Sequence, residues 1–356
     1  MKKHNFSAGP AILAPEVLNH AASAVADLDG IGLSLIEISH RSKEFIAIMD
    51  EACQLALELS GLEGKGYKAL FLQGGASMQF LMTAYNLLEN KAGYINTGTW
   101  SVKAIKEAKL LGEVIELASS KDQNFNYIPK DVAIEDNLDY VHITTNNTIF
   151  GTQFKSLPET SVPLVADMSS DIFSRTLDYS KFSLVYAGAQ KNLGPAGTTL
   201  VFLKETLFDA VSRQIPSMLN YKIHAEKDSM FNTPPVFAVY ATMLNMRWIK
   251  AQGGLVAVGD KNAFKANMIY NEIDRNSKFE GFAAIEDRSE MNATFSLINE
   301  EEGGAFDSLW KSAGISGLKG HRSVGGYRAS IYNALPLDSI ELLIDCMQTF
   351  ENNAYK

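Results

Sequence analysis

Asp167 and Lys191 stand 24 residues apart, each at the end of an apolar run that closes on turn residues. In PLVADMSS the aspartate ends a strand-like segment. In SLVYAGAQKNLGPAG the lysine follows one and precedes a Gly-Pro-Ala-Gly turn. Open α/β sheets put ligand-facing groups at such strand ends. A lysine held there is partly desolvated, which lowers its pKa and frees its amine for attack on a carbonyl. Taken alone, each residue has an ordinary use. The aspartate is equally suited to capping the next helix with Ser169 or Ser170, and the lysine to sitting exposed on its turn. Together they make the pair that pyridoxal phosphate requires, an acid for the pyridinium nitrogen and an amine for the aldehyde.

A phosphate site is available upstream. In YKALFLQGGASMQF the turn Gly74-Gly75-Ala76-Ser77 opens a helix, offering free backbone N–H groups and the positive end of the helix dipole. It carries neither the nucleotide P-loop pattern nor the dinucleotide fingerprint, and a plain strand-to-helix turn would read the same way. Cations gather in two Gly/Ser-flanked segments: His40 and Arg41 in ISHRSKEF, and His321, Arg322 and Arg328 in LKGHRSVGGYRAS. In an acidic chain they point to capture of an anionic substrate, because Arg binds carboxylate and phosphate bidentately. Solvated surface arginines fit the same pattern. Trp100 in NTGTW and Thr148 in NNTIFG add an aromatic face and a hydroxyl at loop positions.

The elements that must position these residues are legible in the periodicity. Residues 44–60 place Phe45, Ile48, Met49, Ala52, Leu55, Ala56 and Leu59 on one face, which predicts an amphipathic helix with Cys53 as a small packing residue. Six short apolar runs follow, ALFLQ, GYIN, YVHITTN, PLVAD, SLVYAG and TTLVFL, each ended by turn chemistry. Helix-like stretches at Gln79–Leu88 and Ser101–Leu111 separate some of them. Strands alternating with helices predict an α/β fold with a mostly parallel sheet covered on both faces. Beyond about residue 255 a helix at Lys261–Asn276, strands FAAIE and ATFSLI, a Gly/Ser/Arg-rich loop at 315–328 and a last helix near 337–352 predict a smaller α+β domain.

Composition narrows the function further. The chain has 356 residues, with 32 Lys+Arg against 41 Asp+Glu, a net charge of −9, and is 46% hydrophobic and 21% charged. That is a globular composition with core enough for about two domains. The charge argues against sequence-independent nucleic-acid binding. Two cysteines, Cys53 and Cys346, are too few for a disulfide framework or a Cys-based metal site, and no metal site is expected. MKKHNFSAGP lacks the apolar core of a signal peptide, and no run reaches the roughly 20 residues of a membrane span. A cytoplasmic protein is expected.

Taken in order, NFSAGPA (5–11), HRSKEF (40–45), LQGGAS (72–77), TGTW (97–100), ADMSS (166–170), AGAQKNLGPAG (187–197), FNTPPVF (231–237) and GHRSVGGYRASIYNA (320–334) resemble the phosphoserine aminotransferase family along the whole chain. The resemblance implies a pyridoxal-phosphate enzyme of the aspartate-aminotransferase fold, with a seven-stranded sheet, a large domain at 16–255 and a small one made of 1–15 and 256–356. It implies transfer of an amino group between L-glutamate and 3-phosphohydroxypyruvate. Some family members also take 4-phosphohydroxythreonine, in pyridoxine synthesis.

Carried over residue by residue, the resemblance makes Lys191 the cofactor lysine and proton carrier and Asp167 the partner of the ring nitrogen. Trp100 stacks on the ring, and Thr148 donates to its 3-hydroxyl oxygen. The cofactor phosphate is held by the backbone of Ala76 and Ser77, by Ser169 and Gln190, and by Asn232 and Thr233 of a second subunit. Arg328 clamps the α-carboxylate. His321 and Arg322, with His40 and Arg41 from the partner, take the distal anion. A homodimer with shared active sites is therefore expected.

Overall fold

The computed structural model describes residues 3–353. The amphipathic segment predicted at 44–60 is a helix over Lys43–Ser60 with sequence-encoded ends. The Ser42 side chain accepts from the Phe45 amide, and Gly61 closes it in the left-handed conformation at φ 65°.

In chain order the elements are β1 (His4–Asn5), α1 (Pro15–Ala26), α2 (Lys43–Ser60), β2 (Tyr67–Leu72), α3 (Gly75–Leu87), β3 (Lys91–Asn96), α4 (Thr99–Ala108), β4 (Glu113–Ser119) and β5 (Tyr140–Thr144). A short hairpin of β6 (Asn146–Asn147) and β7 (Thr152–Gln153) leads to β8 (Leu164–Asp167), β9 (Leu184–Gly188) and β10 (Thr199–Lys204). Then come α5 (Tyr221–Glu226), α6 (Val236–Ala251), α7 (Gly254–Arg275), β11 (Phe279–Gly281), β12 (Asn292–Leu297), α8 (Gly303–Ser312), β13 (Ile315–Ser316), β14 (Tyr327–Ser330) and α9 (Leu337–Asn353). Among the described residues, no helix is long and apolar enough to cross a membrane.

Seven strands form the central sheet in the order β2-β10-β9-β8-β5-β3-β4. The sheet is mixed: β10 runs antiparallel to both its neighbours, and the other pairings are parallel. Successive residues of β9 feed opposite faces, as strand geometry demands. Leu184 and Tyr186 pack with α3, α4 and α5, whereas Val185 and Ala187 pack with α1, α2 and α6. Both faces are thereby covered.

A third apolar cluster gathers residues from α7, α8, α9 and the sheet β11-β12-β14. The amino-terminal segment joins this cluster: β1 pairs with β13, and Phe6 is fully buried there. Helix α7 spans both cores, with Val258 in the first and Ile269 and Ile273 in the third.

Three local expectations are corrected. The FAAIE run is not a strand: β11 lies earlier, at Phe279–Gly281, and the Ala284 amide then leaves the sheet to donate to the Asn126 carbonyl at 2.8 Å. Arg328 is not in a loop but on β14, paired with Thr294. Trp100 is not in a loop either; it lies in the first turn of α4.

The architecture settles where chemistry can occur. The turns after β2, β3, β5, β8 and β9 all lie at the carboxyl edge of the parallel strands, where an open sheet leaves a crevice.

Candidate active site

Lys191 follows β9 on the turn Ala189–Leu193, held by Leu193 and Gly194 amides donating to the Ala189 carbonyl at 3.2 and 2.7 Å. Its Nζ donates to Thr148 Oγ1 at 2.6 Å and lies 5.2 Å from the centroid of the Trp100 ring. Burial pulls the ammonium pKa down to about 8, with Arg328 acting the same way and Asp167 and Asp171 opposing. An amine near 8 is neutral often enough at physiological pH to act as nucleophile and base.

Asp167 ends β8 and is only 4% exposed. Its Oδ1 accepts from the Ser169 amide at 2.9 Å. Burial pushes this carboxyl up, while Lys191 and Ser169 pull it back. The capping reading and the ligand reading are thus both partly realised, since Oδ1 holds the local turn while the buried carboxylate stands within reach of the Lys191 charge.

A cradle of polar groups closes around Gly188. Its amide donates to Ser169 Oγ at 3.1 Å. A Cβ added there would come within 2.8 Å of Gln190 Oε1 and 3.5 Å of the Ala76 nitrogen, so a side chain would push the Gln190 carboxamide away from this convergence. Ala76 and Ser77 belong to the first turn of α3, whose N-cap Gly74 adopts φ 91° and leaves no room for a side chain beside Met78. The amides of that turn have no partner within the helix.

Arg328 reaches the cleft from β14 and donates from Nη1 to the Thr148 carbonyl at 3.1 Å. Its Nε is buried without a partner, as is the indole Nε1 of Trp100. His321 is half-buried and bonds Ser323 Oγ at 2.7 Å, and Arg322 beside it is exposed. Burial, then Arg328, Arg322 and Lys103, hold the His321 pKa below its usual value.

Four expected site residues lie apart from that cluster. Within one chain, His40 and Arg41 sit in the turn before α2 and form no hydrogen bond with it among the described residues. Asn232 and Thr233 are exposed beside the glycine turn: Asn232 Nδ2 approaches Gln73 Oε1 at 3.4 Å, and Gln73 Nε2 donates to the Thr233 carbonyl.

The class-V aminotransferase family model matches residues 3–343. The chain belongs to the class-V aminotransferases. A member of that family from Flavobacterium johnsoniae, a phosphoserine aminotransferase, is 60% identical over 354 residues, covering 99% of each chain. The solved phosphoserine aminotransferase of Bacillus circulans subsp. alkalophilus matches with a TM-score of 0.96 at 45% identity, over 99% of both chains. That of Trichomonas vaginalis, solved with pyridoxal phosphate bound, matches with a TM-score of 0.92 at 33% identity, over 98% of this chain and 100% of the other.

In this class-V aminotransferase, residues to which the sequence analysis assigned no site role also stand beside Lys191 and Trp100. The NFSAGPA segment crosses the cleft. A Cβ on Gly9, at φ 147°, would lie 3.1 Å from Lys191 Cγ, and the Ala11 amide donates to the Gln190 carbonyl at 2.9 Å. Lys103, one turn beyond Trp100, places its ammonium 4.5 Å from the indole centroid. NFSAGPA entered the sequence analysis only as a motif of the resemblance, and nothing in the sequence pointed to Lys103.

Proposed function

We propose that the cleft binds pyridoxal phosphate and carries out transamination between L-glutamate and 3-phosphohydroxypyruvate, giving 2-oxoglutarate and O-phospho-L-serine. The observation that carries this reading is Thr148. Its hydroxyl takes Lys191 and its carbonyl takes Arg328, so a reactive amine and a carboxylate-binding cation converge on one residue.

The residues fit the cofactor. The Gly188 cradle of Ser169, Gln190 and the Ala76 and Ser77 amides suits its phosphate, and Trp100 offers a ring face. Asp167 supplies a buried carboxylate at a strand end, and Thr148 a hydroxyl for the 3-oxygen. When bound, pyridoxal phosphate supplies an aldehyde that condenses with amines and a protonated ring that accepts the electron pair left on Cα.

The chain's own residues do the rest. Arg328 orients the substrate by its α-carboxylate, for which its unpartnered Nε is available. With the cofactor bound, Lys191 Nζ would take the proton from Cα and deliver one to the carbon that the aldehyde contributed, and a pKa near 8 suits an amine that must do both. Asp167 keeps a proton on the ring nitrogen by charge. His321 and Arg322 hold the distal anion, a carboxylate in one half-reaction and a phosphate in the other. One cationic corner serves both, because each substrate is anionic at both ends.

The rest of that corner, His40 and Arg41, and the second phosphate clamp, Asn232 and Thr233, come from a partner in a homodimer. Exposed apolar side chains near these segments support such an interface: Leu33 at 51% and Ile36 at 63% before His40, and Phe231 and Phe237 around Asn232. The compartment is the cytoplasm, where the two free thiols stay reduced. Those thiols do not serve a desulfurase, for burial pushes Cys53 up to about 12 and Cys346 up to about 11, well above the range of a nucleophilic thiol.

The test is spectroscopic. The protein loaded with pyridoxal phosphate should show a visible band that glutamate bleaches and 3-phosphohydroxypyruvate restores, while pyruvate restores it poorly. A band indifferent to glutamate would end the proposal.

Arg322→Ala tests the distal pocket. It should raise KM for glutamate and for phosphoserine by about tenfold or more, the cost of one charge-assisted hydrogen bond. The larger effect should fall on phosphoserine, whose phosphate carries more charge. Unchanged KM for both would show that the distal anion binds elsewhere.

A further inference from the structure

Three separate parts of the molecule meet on the carboxamide of Asn192, the residue next to Lys191. It is 5% exposed, and both ends of its side chain are used. Nδ2 donates to the Ile172 carbonyl at 2.6 Å, five residues beyond Asp167. Oδ1 accepts from the Asn333 amide at 3.0 Å, five residues beyond Arg328. Its backbone is approached from α6, where Asn245 Nδ2 donates to the Leu193 carbonyl at 2.8 Å and lies 3.4 Å from the Asn192 carbonyl.

Both arms end on rigid supports. Between Asp167 and Ile172 the chain forms a tight turn, with the Met168 amide on the Tyr186 carbonyl at 2.9 Å and the Ile172 amide on the Met168 carbonyl at 2.8 Å. On the other arm, Asn333 donates through Nδ2 to the Phe173 carbonyl at 2.9 Å and accepts from Asn262 Nδ2 at 2.7 Å. Buried Lys265 gathers the same segment by donating to the Ile331, Tyr332 and Leu335 carbonyls at 3.2, 2.8 and 3.2 Å. Asn192 therefore joins the Lys191 turn to two segments that other bonds already fix, and that the Asn333–Phe173 contact ties to each other.

We infer that Asn192 is a positioning residue that holds the Lys191 turn in register with the Asp167 strand end and with the segment that carries Arg328. The inference rests on the reading of Lys191 as the cofactor lysine. No side chain but a carboxamide can do this in place. An apolar side chain of the same size would strand a buried carbonyl and a buried amide together, and a carboxylate would set an oxygen against the Ile172 carbonyl. Catalytic groups need placement within a fraction of an ångström, so loosening this junction acts on Lys191 without touching the substrate.

The experiment compares Asn192→Ala with the parent enzyme, both loaded with pyridoxal phosphate, in kinetics, in the pH titration of the visible band, and in thermal melting. The expected result is a kcat about 30-fold lower with KM for glutamate held within about threefold, as misplacement of a reacting group produces. The midpoint of the visible titration should also move by about half a pH unit or more, because the environment of the Lys191 nitrogen changes. Parental kcat and midpoint, with only a lower melting temperature, would reduce Asn192 to a structural role and overturn the inference. If the alanine variant does not fold, Asn192→Asp keeps the acceptor for Asn333 and loses the donor to Ile172; it must show the same displaced midpoint, and a parental one overturns the inference equally. A parent band that survives Lys191→Ala would instead remove the reading beneath it, whatever the Asn192 variants do.

Discussion

Lys191→Ala will abolish turnover, lowering kcat by at least about 10³-fold, the upper range for loss of a positioned acid–base group. The fold will survive. The side chain is half-buried and, among the described residues, its one hydrogen bond goes to Thr148, itself fixed within a buried turn, so truncation removes little that holds the structure together. What disappears is an amine whose pKa burial has brought to about 8. The sign of the pH dependence follows. Below that value the amine is protonated and cannot attack a carbonyl; as pH rises through it the neutral fraction grows and then levels. In the parent chain, uptake of pyridoxal phosphate should accelerate with pH and reach a plateau above about 8, and the alanine variant should lose that dependence altogether. Kinetics with glutamate and 3-phosphohydroxypyruvate, together with a melting curve, check both halves. Full activity in the variant would sink the assignment of Lys191.

The parts of this architecture that could be read ahead of the structure are those whose signal is local. The apolar runs at β2, β3, β5, β8, β9 and β10 each carry their own turn chemistry, and Asp167 and Lys191 take their meaning from standing at two of those ends. The direction of β10 could not be read that way. TTLVFL is buried on both faces and looks alike whichever way it runs, so the mixed sheet emerges only from pairing with β2 and β9. β4 carries no such signal because it is an edge strand: in EVIELAS, Glu113 and Glu116 stay in water and interrupt the apolar pattern. The approach of Gly9 to Lys191 is a contact between residues 182 positions apart, and no spacing rule reaches that far. His40 and Arg41 show the converse. Their residue types pointed to anion binding, yet among the described residues neither forms a hydrogen bond with Arg328, His321 or Arg322 within one chain.

Asp167→Asn is the sharper of the two tests, because it changes charge while keeping shape. The Asp167 carboxylate is flanked in the sheet by Thr144 and Tyr186, and its Oδ1 holds the Ser169 amide at 2.9 Å. An asparagine oxygen can keep that bond, so the turn and the Gly188 cradle behind it should stand, and the melting temperature should fall little if at all. Removing a buried charge can even stabilise the free protein. The function should not tolerate it. The second carboxylate oxygen becomes an N–H donor, which cannot hold a proton on a facing ring nitrogen, and the negative charge that raises the Lys191 pKa disappears as well. Loss of a preorganised charge at a reacting centre costs about 10²- to 10³-fold in rate, and that is the drop expected in kcat, with weaker retention of pyridoxal phosphate on dialysis. A variant within about threefold of the parent would mean that Asp167 serves only as the cap of its turn, since rate losses that small lie within the reach of minor repacking.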